Sequence, residues 1–237
     1  MNNFTQRPIN VTPNSGRPRF PMRLLLAAAI VLVVLILLFQ MVYIVGESEQ
    51  AVVSRFGVIT DVITSSRNDF HARHPDLYEG TQLTGAVVRS GSGLMFKLPY
   101  VDKVEKFTAR MLTYVSDSEI VNTAEKKQYY VTVYAQWTIA DPALFSLAFG
   151  TRSRVEPYLD NLIHPVVVQA INRMPAEDFV SNKDRLNSAL ANGLSQINSD
   201  MLKSGIEIVD IQIHRTTLPP ANLESTYARM TADRAKV

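Results

Sequence analysis

Hydrophobic positions along this 237-residue chain change period several times, and each change predicts an element. From Leu24 to Phe39 no polar residue interrupts the run, and only Gln40 does so before Gly46. At about 1.5 Å per residue such a run covers a hydrocarbon core of roughly 30 Å. Residues 23–45 are therefore expected to form a transmembrane helix. A cleaved signal peptide is the competing reading, but the run is longer than an h-region of about 7 to 15 residues, and no A-x-A site follows it.

Beyond the run the period shortens to two. "EQAVVSRFGVIT" is rich in β-branched residues and contains Gly57, which predicts a strand and a turn. "SSRNDFHARHPDLYEGTQLTGAVVRSGSG" is polar and full of turn residues, so the segment from about Asp61 to Ser92 reads as a long surface loop or insertion. Leu94, Phe96 and Leu98 then alternate with Met95 and Lys97 until Pro99, which cannot donate to a ladder. Phe107, Ala109, Met111 and Val115 suggest a second strand on the same core. The longest alternation is "YYVTVYAQWTI", with Tyr129, Val131, Val133, Ala135, Trp137 and Ile139 on one face and Thr132, Gln136 and Thr138 on the other.

A helical period follows. Asp141 and Pro142 read as N-cap and first residue of a short helix that Gly150 ends. Ser153 and Glu156 have capping-box spacing, and the helix they open puts Leu159, Leu162, Ile163, Val166, Val167, Ala170 and Ile171 on one face. Pro165 is expected to kink or divide it. Ser181 and Asp184 open a third helix with Leu186, Leu190, Leu194, Ile197 and Met201 at helical spacing, stopped by Gly205. "IEIVDIQIH" returns to a strand, with Val209, Ile211 and Ile213 opposite Asp210, Gln212 and His214. After "TTLPP" another helix is expected, carrying Leu223, Tyr227 and Met230 as a narrow stripe; without a stop signal before Val237, the chain reads as the front portion of a longer protein.

Strands, then helices, then a returning strand make an α+β domain behind a single membrane span. The division expected is a disordered tail over 1–22, the span over 23–45, one subdomain over 46–117, a second over 118–216, and the start of a coiled-coil-like helix over 217–237. Charge adds an orientation. Arg7, Arg17, Arg19 and Arg23 precede the span without an acid, whereas Glu47 and Glu49 follow it, so the positive-inside rule puts the N-terminus in the cytoplasm. The net charge of +2 argues against a nucleic-acid partner. Absence of cysteine excludes disulfides, thiolate zinc sites, cysteine nucleophiles and palmitoyl anchors.

Candidate chemistry is sparse. His71 and His74, with Asp69, Asp76 and Glu79 nearby, have an H-x-x-H spacing that supplies two of the three or four ligands a zinc site needs, so a solvated loop is the simpler reading. His164 and His214 read as surface or hydrogen-bonded structural residues. Ser90 and Ser92 lack the G-x-S-x-G elbow, and Lys126 and Lys127 read as a solvated turn before a strand, although together they leave a Ser/Lys hydrolase as an alternative. The alternating placement of Tyr129, Tyr130, Tyr134 and Trp137 favours packing over a ligand site.

"GESEQAVVSRFG", "GLMFKLPYVDKVEKFTARM", "TAEKKQYYVTVYAQWTIADPALF" and "GIEIVDIQIHRTTLPPANLESTYARMTADR" resemble, in this order, the signature segments of the SPFH or band-seven superfamily of stomatins, prohibitins and flotillins. The pattern covers about residues 42–237 and is most similar to the bacterial HflC branch, through Leu218, Pro219, Tyr227, Arg229, Met230, Ala232 and Arg234. The resemblance implies an SPFH-type domain and a non-enzymatic scaffold in the bacterial inner membrane, its domain in the periplasm. It further implies a large hetero-oligomeric ring or cage with an HflK-like homologue, enclosing or regulating the FtsH AAA protease and membrane-protein quality control. Membrane lipids are the remaining implied partner, and no cofactor, metal or catalytic residue is implied. The stretch "GLMFKLPYVDKVEKF" would belong to the membrane-proximal sheet. A lipid-microdomain organiser acting without a protease is the further alternative.

Overall fold

The computed structural model describes residues 22–79 and 81–219. Apart from Met22 and 217–219, the expected tail and C-terminal helix lie outside the described residues. Helix α1, Met22–Gln40, is exposed along its length and apolar from Leu24 to Phe39, and among the described residues it alone is long and apolar enough to cross a membrane. The span read over 23–45 is shared between two elements, because Val42–Val45 forms strand β1.

From Val42 onward the strands form three sheets among the described residues. β2 (Glu49–Arg55) lies between β3 (Val58–Thr64) and β6 (Asp102–Thr108), both antiparallel to it, and β4 (Val87–Ser90) runs parallel to β3. β1 pairs with β5 (Gly93–Phe96) as a two-stranded ribbon. In the third sheet β9 (Gln128–Ile139) is central, with β10 (Ile206–Thr217) on one side and β7 (Leu112–Val115) and β8 (Glu119–Asn122) on the other. The mixed α+β class is as expected.

Alternation along β9 is preserved. Tyr129, Val131, Val133, Ala135, Trp137 and Ile139 are buried beneath helices α4 (Arg152–Asn172), α5 (Ala176–Ser181) and α6 (Lys183–Met201). α3, Pro142–Ala148, starts as expected, with Asp141 accepting from the Ala143 and Leu144 amides at 2.8 and 2.9 Å. Two starts differ. α4 begins after Thr151 rather than at Ser153, and Ser181 closes α5 while Asn182 caps α6, accepting from the Arg185 amide at 3.1 Å. Pro165 does not divide α4: its ring is exposed, while Val155, Leu159, Ile163, Val167, Ala170 and Ile171 hold both halves on one core.

β10 departs from the expected faces. A register shift between Ile208 and Asp210 inserts an extra residue, so Ile206, Ile208 and Ile211 are buried and Val209 is exposed. The 61–92 segment is also not a surface loop. It holds helix α2 (Phe70–Arg73), a 3-10 turn (Pro75–Tyr78) and β4, and it buries Phe70, Tyr78 and Leu83 against Val52, Ile59, Val62, Ala140, Ala143 and Leu144. Three large apolar groups outweigh the polar composition around them.

Candidate membrane-facing surface

The ribbon covers one face of the β2–β3–β6 sheet. Its inner residues Tyr43, Val45 and Met95 pack with Ala51, Val53, Ile63 and Val104. Register places Val42 opposite Phe96 and Ile44 opposite Leu94, so these four share the outer face. Ile44, Leu94 and Phe96 are exposed there, Phe96 to 72%. The expectation that Leu94, Phe96 and Leu98 face the core is thus inverted: Met95 points inward, and Leu98 is exposed as well. Phe107 alone of the second expected set meets the main core, edge-on to Phe145 at 5.2 Å, whereas Met111 and Val115 are exposed.

Two turns extend this apolar surface. Phe56 and Gly57 join β2 to β3 with φ of 50° and 86°, a two-residue hairpin turn in which both central residues are left-handed. Tyr100, after β5, has φ of 65°. Both aromatic side chains are 85% exposed. A left-handed non-glycine residue costs about 1–2 kcal/mol, and neither side chain recovers that by burial within this chain.

Asp102 ties the two turns together. Its carboxylate receives Arg55 Nε at 2.8 Å and Nη2 at 3.2 Å from the end of β2, and the Leu98 amide at 2.8 Å from the other turn. The Arg55 hydrogen bonds hold the Asp102 carboxyl below the ordinary carboxylate range, so the tie stays made to lower pH than an isolated Asp would allow.

The profile of the SPFH domain / Band 7 family matches residues 43–237. The chain belongs to this family. Among its relatives are the "Modulator of FtsH protease HflC" of Escherichia coli strain K12, 27% identical over 248 residues that cover 88% of this chain and 68% of that protein. "Protein HflC" of Vibrio cholerae is 27% identical over 248 residues, covering 91% and 69%. "Protein HflC" of Borreliella burgdorferi is 25% identical over 236 residues, covering 88% and 65%. With α1, these similarities point to a membrane protein.

Within the SPFH domain the residues singled out for chemistry do not converge. His71 and His74 are packed against aromatic rings, Tyr78 at 4.6 Å and Phe70 at 5.0 Å between centroids, rather than solvated. Among the described residues no three His, Asp or Glu gather as a metal site. Ser90 ends β4 and Ser92 follows it, whereas Lys126 and Lys127 sit in the β8–β9 turn of another sheet, where Lys127 pairs with Glu125 at 2.7 Å. His164 pairs with Glu119, and His214 is exposed on β10. Tyr129 and Trp137 are core residues; Tyr130 and Tyr134 lie on the opposite sheet face. Sequence reasoning missed Phe56 and Tyr100. The Phe-Gly pair between two β-branched runs carried a signal for the first, since such turns favour Asn or Asp where Phe56 stands. For the second the signal was Pro99, which favours the second position of a turn whose left-handed third position Tyr100 fills, the Val101 amide closing it on the Leu98 carbonyl.

Proposed function

We propose that this chain is a membrane-anchored SPFH scaffold that modulates an FtsH-type AAA protease, without catalysing a reaction itself. The observation that carries the reading is the family match over 43–237 directly behind an apolar helix, in relatives one of which is named a modulator of FtsH. The arginines before α1 and the acids after it support a cytoplasmic N-terminus and a periplasmic domain in a bacterial inner membrane. In this reading residues 46–117 and 118–216 act as a membrane-proximal and a distal subdomain, and an HflK-like homologue completes a large hetero-oligomeric ring or cage.

Isolation of the full-length protein with its HflK-like homologue in mild detergent tests this. The expected product is a very large mixed assembly that retains the FtsH-type protease, and membrane-protein half-lives shift when the scaffold is deleted. Recovery of monomers only, with unchanged half-lives, would overturn it. The outward apolar face of the ribbon favours a second reading, lipid organisation without a protease. The two part when the protease is deleted: a scaffold phenotype that persists supports the lipid reading.

In both readings the ribbon face and the Phe56 and Tyr100 turns meet the bilayer. Only Met41 separates α1 from β1, so by chain connectivity Val42 lies within about 7 Å of the helix end, at about 3.5 Å per residue. Aromatic side chains favour the membrane–water interface, and an apolar patch of this kind marks a binding surface. Because the chain lacks cysteine, nitroxides can be placed singly through Phe56→Cys, Tyr100→Cys and Ser195→Cys in protein reconstituted into bilayers. Power saturation is expected to show oxygen access at 56 and 100 and access of a water-soluble nickel chelate at 195. Equal nickel access at all three positions would sink the assignment.

A further inference from the structure

Residues 65–86 connect β3 to its parallel neighbour β4, which requires only a crossover back to the same sheet edge. The segment instead reaches across to another sheet. Asn68 Nδ2 donates to the Ala140 carbonyl at 2.6 Å, at the corner where β9 enters α3, and to Gln50 Oε1 at 3.1 Å on β2. Gln50, itself buried, donates through Nε2 to the Ile139 carbonyl at 2.8 Å. Ten residues further on, the Tyr78 hydroxyl donates to Asp141 Oδ2 at 2.8 Å, on the carboxylate whose other oxygen caps α3. Phe70, Tyr78 and Leu83 fill the space between the β2–β3 face and the Ala143 and Leu144 side chains of α3.

None of these ties is needed to close the β3–β4 connection. Ordering some 20 residues costs about 1–2 kcal/mol each in backbone freedom, so a connection of this length is retained in a compact fold where it has a task. Its two polar contacts reach the far half from two points along the segment: Asn68 bridges Gln50 on β2 to the Ala140 carbonyl just after β9, beside the direct Gln50–Ile139 bond, and Tyr78 joins the segment to the carboxylate that caps α3.

We propose that residues 65–86 are a strap that sets the angle between the sheet bearing the ribbon and the β9–β10 sheet with its helices, with Asn68 and Tyr78 as its two fastenings. The proposal rests on the reading above that the ribbon and its neighbouring turns face the bilayer. The strap then transmits the tilt of the membrane-facing sheet to the half that carries α4 to α6, and loosening it uncouples the two.

The test is an internal distance in the full chain in nanodiscs. Lys103→Cys on β6 and Ser195→Cys on α6 introduce the only two thiols, and both positions are exposed. Double electron–electron resonance is expected to give one narrow distance in this background. Asn68→Ala with Tyr78→Phe is expected to broaden it at least twofold or add a second population, with the helical circular dichroism retained. An unchanged distribution in the folded double variant overturns the strap. Should the double variant fail to fold, Tyr78→Phe alone keeps the ring in its pocket and removes one fastening, and the same criterion applies to it. The distance is internal to the protein and is also read in detergent, so this result is separate from nitroxide accessibility at position 56, which tests the bilayer reading.

Discussion

Gly205→Ala is expected to destabilise the domain by about 2–5 kcal/mol, adding the backbone cost of a left-handed alanine to that of forcing atoms into a packed site. Gly205 has φ of 73° and ends the turn between α6 and β10. A β-carbon there would sit 2.4 Å from the Asp141 carbonyl oxygen, 2.6 Å from the Phe145 nitrogen and 2.9 Å from Leu144 Cβ. These atoms cannot yield. The Asp141 carbonyl accepts the Phe145 amide at 3.0 Å in the first turn of α3, and the Gly205 carbonyl accepts the Ala140 and Asp141 amides at 2.9 and 3.1 Å. Gly57, with φ of 86° and open space around its α-carbon, is the control: Gly57→Ala should lose only the backbone part, about 1–2 kcal/mol. Denaturant melts of the full chain in detergent measure both. Equal losses would mean that close approach at the β9–α3 corner contributes nothing.

That corner is where sequence and structure part. Elements with one sustained period were legible: β9 alternates over its length because one face is buried and the other is not, and α6 shows Leu186, Leu190, Ile197 and Met201 on one side. Asp141 followed by Pro142 announced α3 because a capping carboxylate and a pre-set φ are local chemistry. The strap was illegible because Phe70, Tyr78 and Leu83 have no common period and lie among polar residues whose partners, Ala140 and Asp141, are remote in sequence. The bulge in β10 does leave a mark: Ile208 and Val209 stand side by side where the apolar phase changes from Ile206 and Ile208 to Ile211 and Ile213, and the expected faces follow the later phase alone. Asp141 shows what burial adds. Desolvation pushes its carboxyl above the ordinary range despite the amides and the Tyr78 hydroxyl that favour the charged form. The fold therefore holds that proton more tightly than the unfolded chain does, and the resulting contribution to stability is lost as pH rises through the folded pKa.

The ribbon failed for a different reason. A period of two says that two faces exist, not which is inside, and hydrophobicity assigned Leu94, Phe96 and Leu98 to the core over Met95. In water that choice is sound. Here the more apolar side points outward and the ribbon packs on its sheet through Tyr43, Val45 and Met95, an inversion that fits the proposed contact with the bilayer. The family segments were legible as an ordered series of patterns, and the family match bears them out. The surface built by Phe56, Phe96 and Tyr100 was not, because it joins two turns linked by the Asp102 tie to a strand placed by the β1–β5 register.

Leu32→Arg combined with Leu35→Arg is expected to release the chain from the membrane. Both positions lie near the middle of α1, where an arginine costs about 2.5–3.5 kcal/mol and each lost leucine forfeits roughly 0.5 kcal/mol more. The pair therefore opposes insertion by about 6–8 kcal/mol, against roughly 4–8 kcal/mol supplied by a dozen or so Leu, Ile, Val and Phe between Leu24 and Phe39. Insertion becomes marginal, and carbonate extraction of membranes should move most of the protein to the supernatant. Gln40→Arg, at the end of the helix, lets the guanidinium reach the interface and should leave the protein in the pellet. If the double variant also stays in the pellet, α1 is not the decisive tether, and the apolar ribbon face with Phe56 and Tyr100 must hold the domain on the bilayer by itself. Adding Phe56→Asp and Tyr100→Asp to the double variant would then release it, which separates anchoring by the helix from anchoring by the sheet.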